Sequence, residues 1–370
     1  MAFYLQRYYH QLITGISLVF AFALALSSET FASPMRDWPD GGTHAAAGES
    51  EGIDPVILKD VHAAIANKLP LTRSILIVRN GSLVSESYFG TANGYQQYKV
   101  ASVTKSVVSA LLGIAIAEGK LAGTHLTVSE VYPEESRDLP DTRTNGITLD
   151  QLLTMRSGLG RPRPGEDLRR HVRSRDRFRS TLRLPQLNTP GRVFKYDSAN
   201  SHLVGGAIAR ATGESLLDYA NAHLFGPMGE KVTVWRRDPL GHNFGGWGME
   251  LTPRQMAKLG LLILNKGKWG ARQVVPEAWL RDATKTHVRL SESAGYGYYF
   301  WIRTFAGCEA FYAAGRGGQY IVMVPDASLI VVVTTNIKAK TRGAAPNIVP
   351  MIERVVAATG ASCVAVSSKD

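Results

Sequence analysis

The chain has 370 residues, a formal net charge of +11, 45% hydrophobic and 20% charged residues. This is the composition of a globular protein long enough for one large domain or two lobes around a shared core, and it argues against a disordered chain. With two cysteines, no Cys/His cluster and no His-Glu-x-x-His, neither a metal site nor a cofactor is expected.

Residues 1–32 read as a secretory signal. Arg7 and His10 lie in a polar start, Leu12 to Leu26 is an uncharged apolar run, and Thr30-Phe31-Ala32 gives a small-x-small cleavage pattern before Ser33. The run is short for a membrane span, so cleavage near Ala32 and a periplasmic or secreted location are expected. Residues 33–52 read as a linker. Gly48-Glu49-Ser50-Glu51-Gly52 has the spacing of a nucleophile elbow, but no hydrophobic strand precedes it, and it is set aside.

The folded domain is expected over residues 53–363, with 364–370 as a tail. Asp54 to Lys68 predicts a helix with Asp54 as cap and Pro55 at its first position. Ser74 to Arg79 and Leu83 to Phe89 flank Asn80-Gly81, a strong hairpin signal. Tyr95 to Tyr98 then leads into Lys99 to Gly119, which holds the chain's only Ser-x-x-Lys, Ser102-Val103-Thr104-Lys105. The residues after it are apolar nearly all round, the pattern of a helix buried inside a protein. Ser102 therefore opens a buried helix, with Lys105 on the same face. A serine is a weak nucleophile until a base takes its proton, and burial lowers a lysine's pKa toward that role. The helix N-terminus adds N–H groups and positive potential suited to an oxyanion.

From Leu121 to about residue 250 the pattern is mainly helix and loop. Helices are predicted over Ile147–Met155, Leu203–Thr212, Ser215–Leu224, Pro253–Asn265 and Pro276–Thr284, with Tyr196 on an irregular loop after Pro190-Gly191. Arg161 to Arg192 carries ten arginines against Glu166, Asp167 and Asp176. It reads as a solvated face or lid, or as a contact for an anionic substrate or surface; no nucleic-acid motif accompanies it. Strands are predicted over Gly297–Arg303, Ala310–Ala313, Gln319–Val324 and Leu329–Thr335, then a helix over Pro346–Ala358. The expected fold is α/β (α+β): an antiparallel sheet built from both chain ends and flanked by helices, with a mostly helical lobe inserted at about 121–250. Cys308 and Cys363 form an even pair in an exported chain and are a candidate disulfide, with two free thiols as the alternative.

Three pieces converge: Ser102-x-x-Lys105, Tyr196-Asp197-Ser198 and Gly315-Arg316-Gly317-Gly318-Gln319 before a strand. Their order resembles the serine β-lactamase and penicillin-binding-protein superfamily, in the class C manner, whose second motif is Tyr-x-Asn or similar. Leu152 to Leu159, Gly246 to Arg254, Asn265 to Gly270 and Val274 to Trp279 are similar to further segments of that family. The resemblance covers about residues 54–358, with the flavour of its 6-aminohexanoate-dimer hydrolase and carboxylesterase-type members.

The resemblance implies that Ser102 is acylated and that Lys105 and Tyr196 share base and acid duties. It implies an oxyanion hole made by the backbone N–H groups of Ser102 and Arg316. Ser198, Gly315 and Gly317 become substrate-binding candidates. Ala313 stands where the family carries a lysine or histidine for substrate carboxylate, and Ser198 replaces the asparagine. Both departures weigh against a β-lactam or D-Ala-D-Ala substrate. The expected function is hydrolysis of a small ester or amide. A cell-wall peptidase or β-lactamase is the rival within hydrolases, and a non-catalytic binding or sensor protein the rival outside them. His125, His202 and His242 are expected to be ordinary histidines.

Overall fold

In the computed structural model, which describes residues 51–161, 173–336 and 347–363, Asp54 caps the first helix, α1 (Pro55–Lys68), by accepting from the Val56 N–H at 2.8 Å. The hairpin β1 (Thr72–Arg79) and β2 (Ser82–Tyr88) follows, closed by Asn80 and Gly81, both at positive φ. A short strand β3 (Tyr98–Lys99) enters the buried helix α2 (Val103–Ala117). Next come α3 (Val128–Val131), α4 (Leu149–Leu153), α5 (Arg177–Leu182), α6 (Ser198–Thr212) and α7 (Leu216–Ala220). The strand β4 (Glu250–Leu251) pairs with β3 and leads into α8 (Pro253–Leu264). A small hairpin, β5 (Lys268–Trp269) with β6 (Arg272–Gln273), precedes α9 (Glu277–Ala283). The chain closes with β7 (Val288–Ser291), β8 (Ala294–Tyr296), β9 (Trp301–Phe305), β10 (Cys308–Gly315), β11 (Gln319–Val324), β12 (Leu329–Thr335) and α10 (Val349–Ala357).

One eight-stranded antiparallel sheet, ordered β2-β1-β12-β11-β10-β9-β8-β7, is assembled from both chain ends. The β1–β12 pairing, in register from Arg79 opposite Leu329 to Ser74 opposite Thr334, joins the two halves. Alternation along these strands sorts side chains to two buried faces. Ile75, Ile77, Val331 and Val333 pack with Val61 and Ile65 of α1 and Ile352 and Val356 of α10. Leu76, Val78, Ile330 and Val332 pack with α2 and α8, and that core continues into the helical segment. Every residue of α2 from Val103 to Ala115 is buried, as its apolar pattern predicts. Cys308 and Cys363 are joined in a disulfide that ties the start of β10 to the segment after α10.

Several predicted bounds are corrected. β8 and the edge strand β7 were not expected; they are short, and β7 is largely exposed, so no alternation marks it. The strand predicted from Gly297 begins at Trp301, because Tyr299 at positive φ turns the chain first. The helix predicted from Leu203 begins at Ser198, because the Asp197 carboxylate accepts from the Ala199 N–H at 2.9 Å and caps it there. Tyr196 thus directly precedes a helix cap rather than standing on an open loop. The helix predicted over Ser215–Leu224 is α only to Ala220; the turn Asn221–Phe225 is a wider π turn, with the Asn221 side chain bridging to both backbone groups of Val232. α4 stops at Leu153, ahead of Met155 at positive φ.

The signal, most of the linker with Gly48 to Ser50, residues 162–172 of the arginine-rich stretch, residue 346 at the head of the last predicted helix, and the 364–370 tail lie outside the described residues. In the described part of that stretch, Arg161 pairs with Asp197, Arg179 donates to the Glu134 carbonyl, Arg183 donates to the Asp138 carbonyl, and Phe178 is buried in the core.

Candidate active site

Two backbone segments set Ser102 in place. The Val100 N–H donates to the Met249 carbonyl at 3.1 Å, and Lys99 pairs with Glu250 across β3 and β4. Ala101 then takes a φ of +48°, a conformation L residues rarely adopt, directly before the serine. Ser102 occupies the N-cap position of α2, yet its hydroxyl makes no capping bond. It is therefore free to face Lys105.

Lys105 is 1% exposed. Its Nζ donates to Ser102 Oγ at 3.2 Å, to Ser198 Oγ at 3.0 Å and to the Gly246 carbonyl at 2.8 Å. Burial pulls its pKa down to about 7, against the opposing pull of the nearby Asp197 carboxylate. Arg161 sits 3.4 Å from the same carboxylate. An amine with that pKa is substantially neutral at neutral pH and can accept a proton.

The Tyr196 ring lies 4.9 Å from Lys105 Nζ, measured to the ring centroid. Burial pushes its phenol up, while a hydrogen bond with Ser102 pulls the other way. Trp301 stacks on the ring at 5.4 Å and Tyr296 meets it edge-on at 6.2 Å. The segment around Met155 holds the backbone on both sides: the Met155 carbonyl accepts from the Lys195 N–H at 2.8 Å, and its sulfur accepts from the Asp197 N–H at 3.4 Å. Ser157 in turn donates to the Asn200 side chain at 2.9 Å. This gives the Leu152–Leu159 motif a physical task, which is to place Tyr196.

The third motif closes the site from the sheet. A Cβ at Gly315 would run into the Val100 carbonyl oxygen, so glycine lets β10 approach the residues before Ser102. Arg316 follows in the turn and lines one cleft with Ser102. Gly317, at positive φ, gives its carbonyl to the Thr335 hydroxyl at 2.6 Å, so its role in the structure is to hold the turn. Ala313 is buried in the core and presents no charge. The cleft is about 650 Å³, and its walls include Ser198, Arg236, Trp247 and Asn336.

The structure thus brings Ser102, Lys105, Tyr196 and Ser198 together and sets Arg316 in the same cleft. Ser198 touches Lys105, so it belongs to the lysine's cradle. Four contributors were not legible in the sequence: the Gly246 carbonyl, Trp301, Tyr296 and Arg236. Only the density of glycine in Gly245-Gly246-Trp247-Gly248 hinted at a close approach there; a Cβ at Gly246 would lie 2.7 Å from Ser201 Oγ and 2.8 Å from Ser198 Cβ. The arrangement can deprotonate a serine, hold an oxyanion between backbone N–H groups and protonate a leaving group. Among the described residues no group of His, Cys, Asp and Glu could hold a metal ion.

Comparison with known proteins gives the family and the fold. A family model described as Beta-lactamase matches residues 71–350. The chain is 26% identical over 256 residues to 6-aminohexanoate-dimer hydrolase of Paenarthrobacter ureafaciens, covering 62% of each chain, and so spans about three fifths of that relative's length. Among solved structures, EstCE1, described as a hydrolase with promiscuous acyltransferase activity, superposes with a TM-score of 0.68 at 19% identity, over 85% of this chain and 99% of that one. A D-stereospecific amidohydrolase from Streptomyces sp. gives 0.64 at 17% identity, over 82% and 98%.

Proposed function

The chain belongs to the beta-lactamase family, and from that premise we propose that it is a serine hydrolase that cleaves a small ester or amide through an acyl-enzyme on Ser102. The observation that carries the reading is the buried Lys105 amine, 3.2 Å from Ser102 Oγ with its pKa near 7.

In this reading neutral Lys105 takes the Ser102 proton as Oγ attacks the substrate carbonyl. The oxyanion rests on the N–H groups of Ser102 and Arg316. As the carbonyl–leaving-group bond breaks, the leaving oxygen or nitrogen takes the Tyr196 phenol proton, and the Lys105 ammonium restores that proton to Tyr196. The raised Tyr196 pKa keeps the phenol protonated for this step and favours Lys105 as the first base. Water then attacks the acyl-enzyme, loses its proton to the same pair, and Ser102 regains a proton as the acid product leaves. Acyl transfer to water from an ester or an amide is compatible with structural neighbours described as a hydrolase with promiscuous acyltransferase activity and as a D-stereospecific amidohydrolase. The uncharged Ala313 supports these over β-lactams or D-Ala-D-Ala peptides, whose carboxylate the family meets with a cation there.

We also propose that the protein is exported, with Ser33 as the first mature residue; the Cys308–Cys363 disulfide suits an oxidising compartment. Intact mass after incubation with a fluorophosphonate tests the chemistry. One adduct, mapped to Ser102 and absent in Ser102→Ala, is expected. A folded wild-type protein with no adduct overturns the reading.

A further inference from the structure

His202, expected from the sequence to be an ordinary histidine, is 6% exposed and stands on α6 four residues after Ser198, so the two share one helix face. Its ring is fixed by Phe178, stacked at 4.8 Å, and by Phe244 at 5.3 Å. Nδ1 accepts from the Gly245 N–H at 3.4 Å, and Nε2 lies 3.5 Å from Asp238 Oδ2. A nitrogen that accepts carries no proton, so the neutral ring holds its proton on Nε2, toward the carboxylate.

Asp238 is placed to hold that tautomer. Its side chain is fully buried. Oδ1 accepts from the Leu240 and His242 N–H groups, both at 2.9 Å, and Oδ2 faces His242 Nδ1 at 3.4 Å as well as His202. Burial pushes the carboxyl up, but the pull of His202 and of the His242 N–H outweighs it and holds the pKa at about 2, so Asp238 only accepts. Beyond Phe178 lies Arg210, with its guanidinium carbon 5.7 Å from that ring's centroid, and it pairs with Glu135.

The restrained backbone is the one that meets the lysine. Gly245 and Gly246 have no side chains to anchor them, and a glycine backbone is the freest of all. A Cβ at Gly245 would run into the Ser201 carbonyl oxygen, so this loop rides directly on α6. The Gly246 carbonyl, one residue past the held N–H, accepts from Lys105 Nζ at 2.8 Å. α6 therefore reaches Lys105 twice: directly through Ser198 Oγ at 3.0 Å, and through His202 and the Gly246 carbonyl.

We propose that His202, kept in its Nε2-protonated form by Asp238, is a positioning residue that holds the Gly245–Gly246 backbone so that the Gly246 carbonyl aims the Lys105 amine at Ser102. The proposal deepens the acyl-enzyme reading and rests on it; His202 itself touches no reacting atom.

Two variants separate the hydrogen bond from packing. His202→Phe keeps a ring between Phe178 and Phe244 but has no acceptor. His202→Asn loses the ring but carries an oxygen one bond from Cγ, as Nδ1 is. Fluorophosphonate acylation should slow about tenfold or more in His202→Phe and be largely restored in His202→Asn, the reverse of what packing alone predicts. A carbonyl oxygen favours the ammonium, so loosening it should also move the midpoint of the His202→Phe rate profile to lower pH. Asp238→Asn keeps an oxygen for the two N–H groups, but its amide donates to Nε2, which drives the ring proton to Nδ1 and breaks the bond to Gly245. Nitrogen NMR of the imidazole-labelled full chain should show His202 with its proton on Nε2 in the wild type and on Nδ1 in Asp238→Asn, with acylation slowed as in His202→Phe. A proton on Nδ1 in the wild type overturns the proposal. So does a folded His202→Phe that acylates at the wild-type rate with an unshifted profile, or an Asp238→Asn whose tautomer changes without slowing. If His202→Phe does not fold, Asp238→Asn decides. Any of these with Ser102 still labelled in the wild type overturns the positioning role alone, whereas a folded wild type that takes no label overturns the hydrolase reading and this role with it.

Discussion

Lys105 governs the chemistry at the scale of single residues, because burial sets its protonation state. A lysine titrating near 7 in the folded protein and near 10.5 when unfolded is charged only below neutrality in the native state. Acylation should therefore rise with pH through about 7 as the ammonium loses its proton, which a fluorophosphonate rate profile would read. Asp197→Asn keeps a side chain able to cap α6 but removes the charge that favours the ammonium. Its profile should shift toward lower pH; an unshifted profile would show that the carboxylate does not reach Lys105. The same group links stability to pH. Between the two pKa values the unfolded chain holds the extra proton, so wild-type stability should rise with pH across that window relative to Lys105→Met. Paired melting curves at the two ends of the window would check the sign.

Glycines at the contact points decide how closely the helices and loops approach one another. α2 packs against α9 at Gly113, where a Cβ would run into the Trp279 indole. Gly113→Ala should cost about 1–3 kcal/mol by overpacking, seen as a lower denaturation midpoint. At Gly246 the same crowding acts on the site. An added methyl would push the loop off Ser198 and Ser201 and draw the Gly246 carbonyl away from Lys105. Gly246→Ala should then lose acylation rate in a protein that still folds. The capping boxes at Thr148 and Thr252, each with a glutamine three residues on, set the starts of α4 and α8 and need no tertiary partner. These starts are local, and so is the cap of α6, where Asp197 accepts from the Ala199 N–H two residues on; a sequence reading that places Asp197 on a loop starts that helix late.

Across the whole molecule, the sheet is closed by pairing a hairpin near residue 80 with a strand near residue 330, and the disulfide separately ties the start of β10 to the segment after α10 over a separation of 55 residues. Loop-closure entropy for such a bridge is about 4 kcal/mol at most, so reductant, or Cys308→Ser with Cys363→Ser, should lower the melting temperature clearly. The expected export can be read from the first residue of the mature chain, which should be Ser33; a chain retaining residues 1–32 would refute cleavage. The sequence by itself determined the buried helix behind Ser102, the hairpin, the main sheet strands and the order of the three motifs, because these rest on local periodicity, turn chemistry and spacing. The tertiary structure alone decided that Gly246 supplies a carbonyl to Lys105, that Trp301 and Tyr296 hold Tyr196, and that Arg236 enters the cleft. Each of those contacts joins residues more than a hundred positions apart or on separate elements, and no local pattern in a chain encodes which distant backbone will arrive beside it.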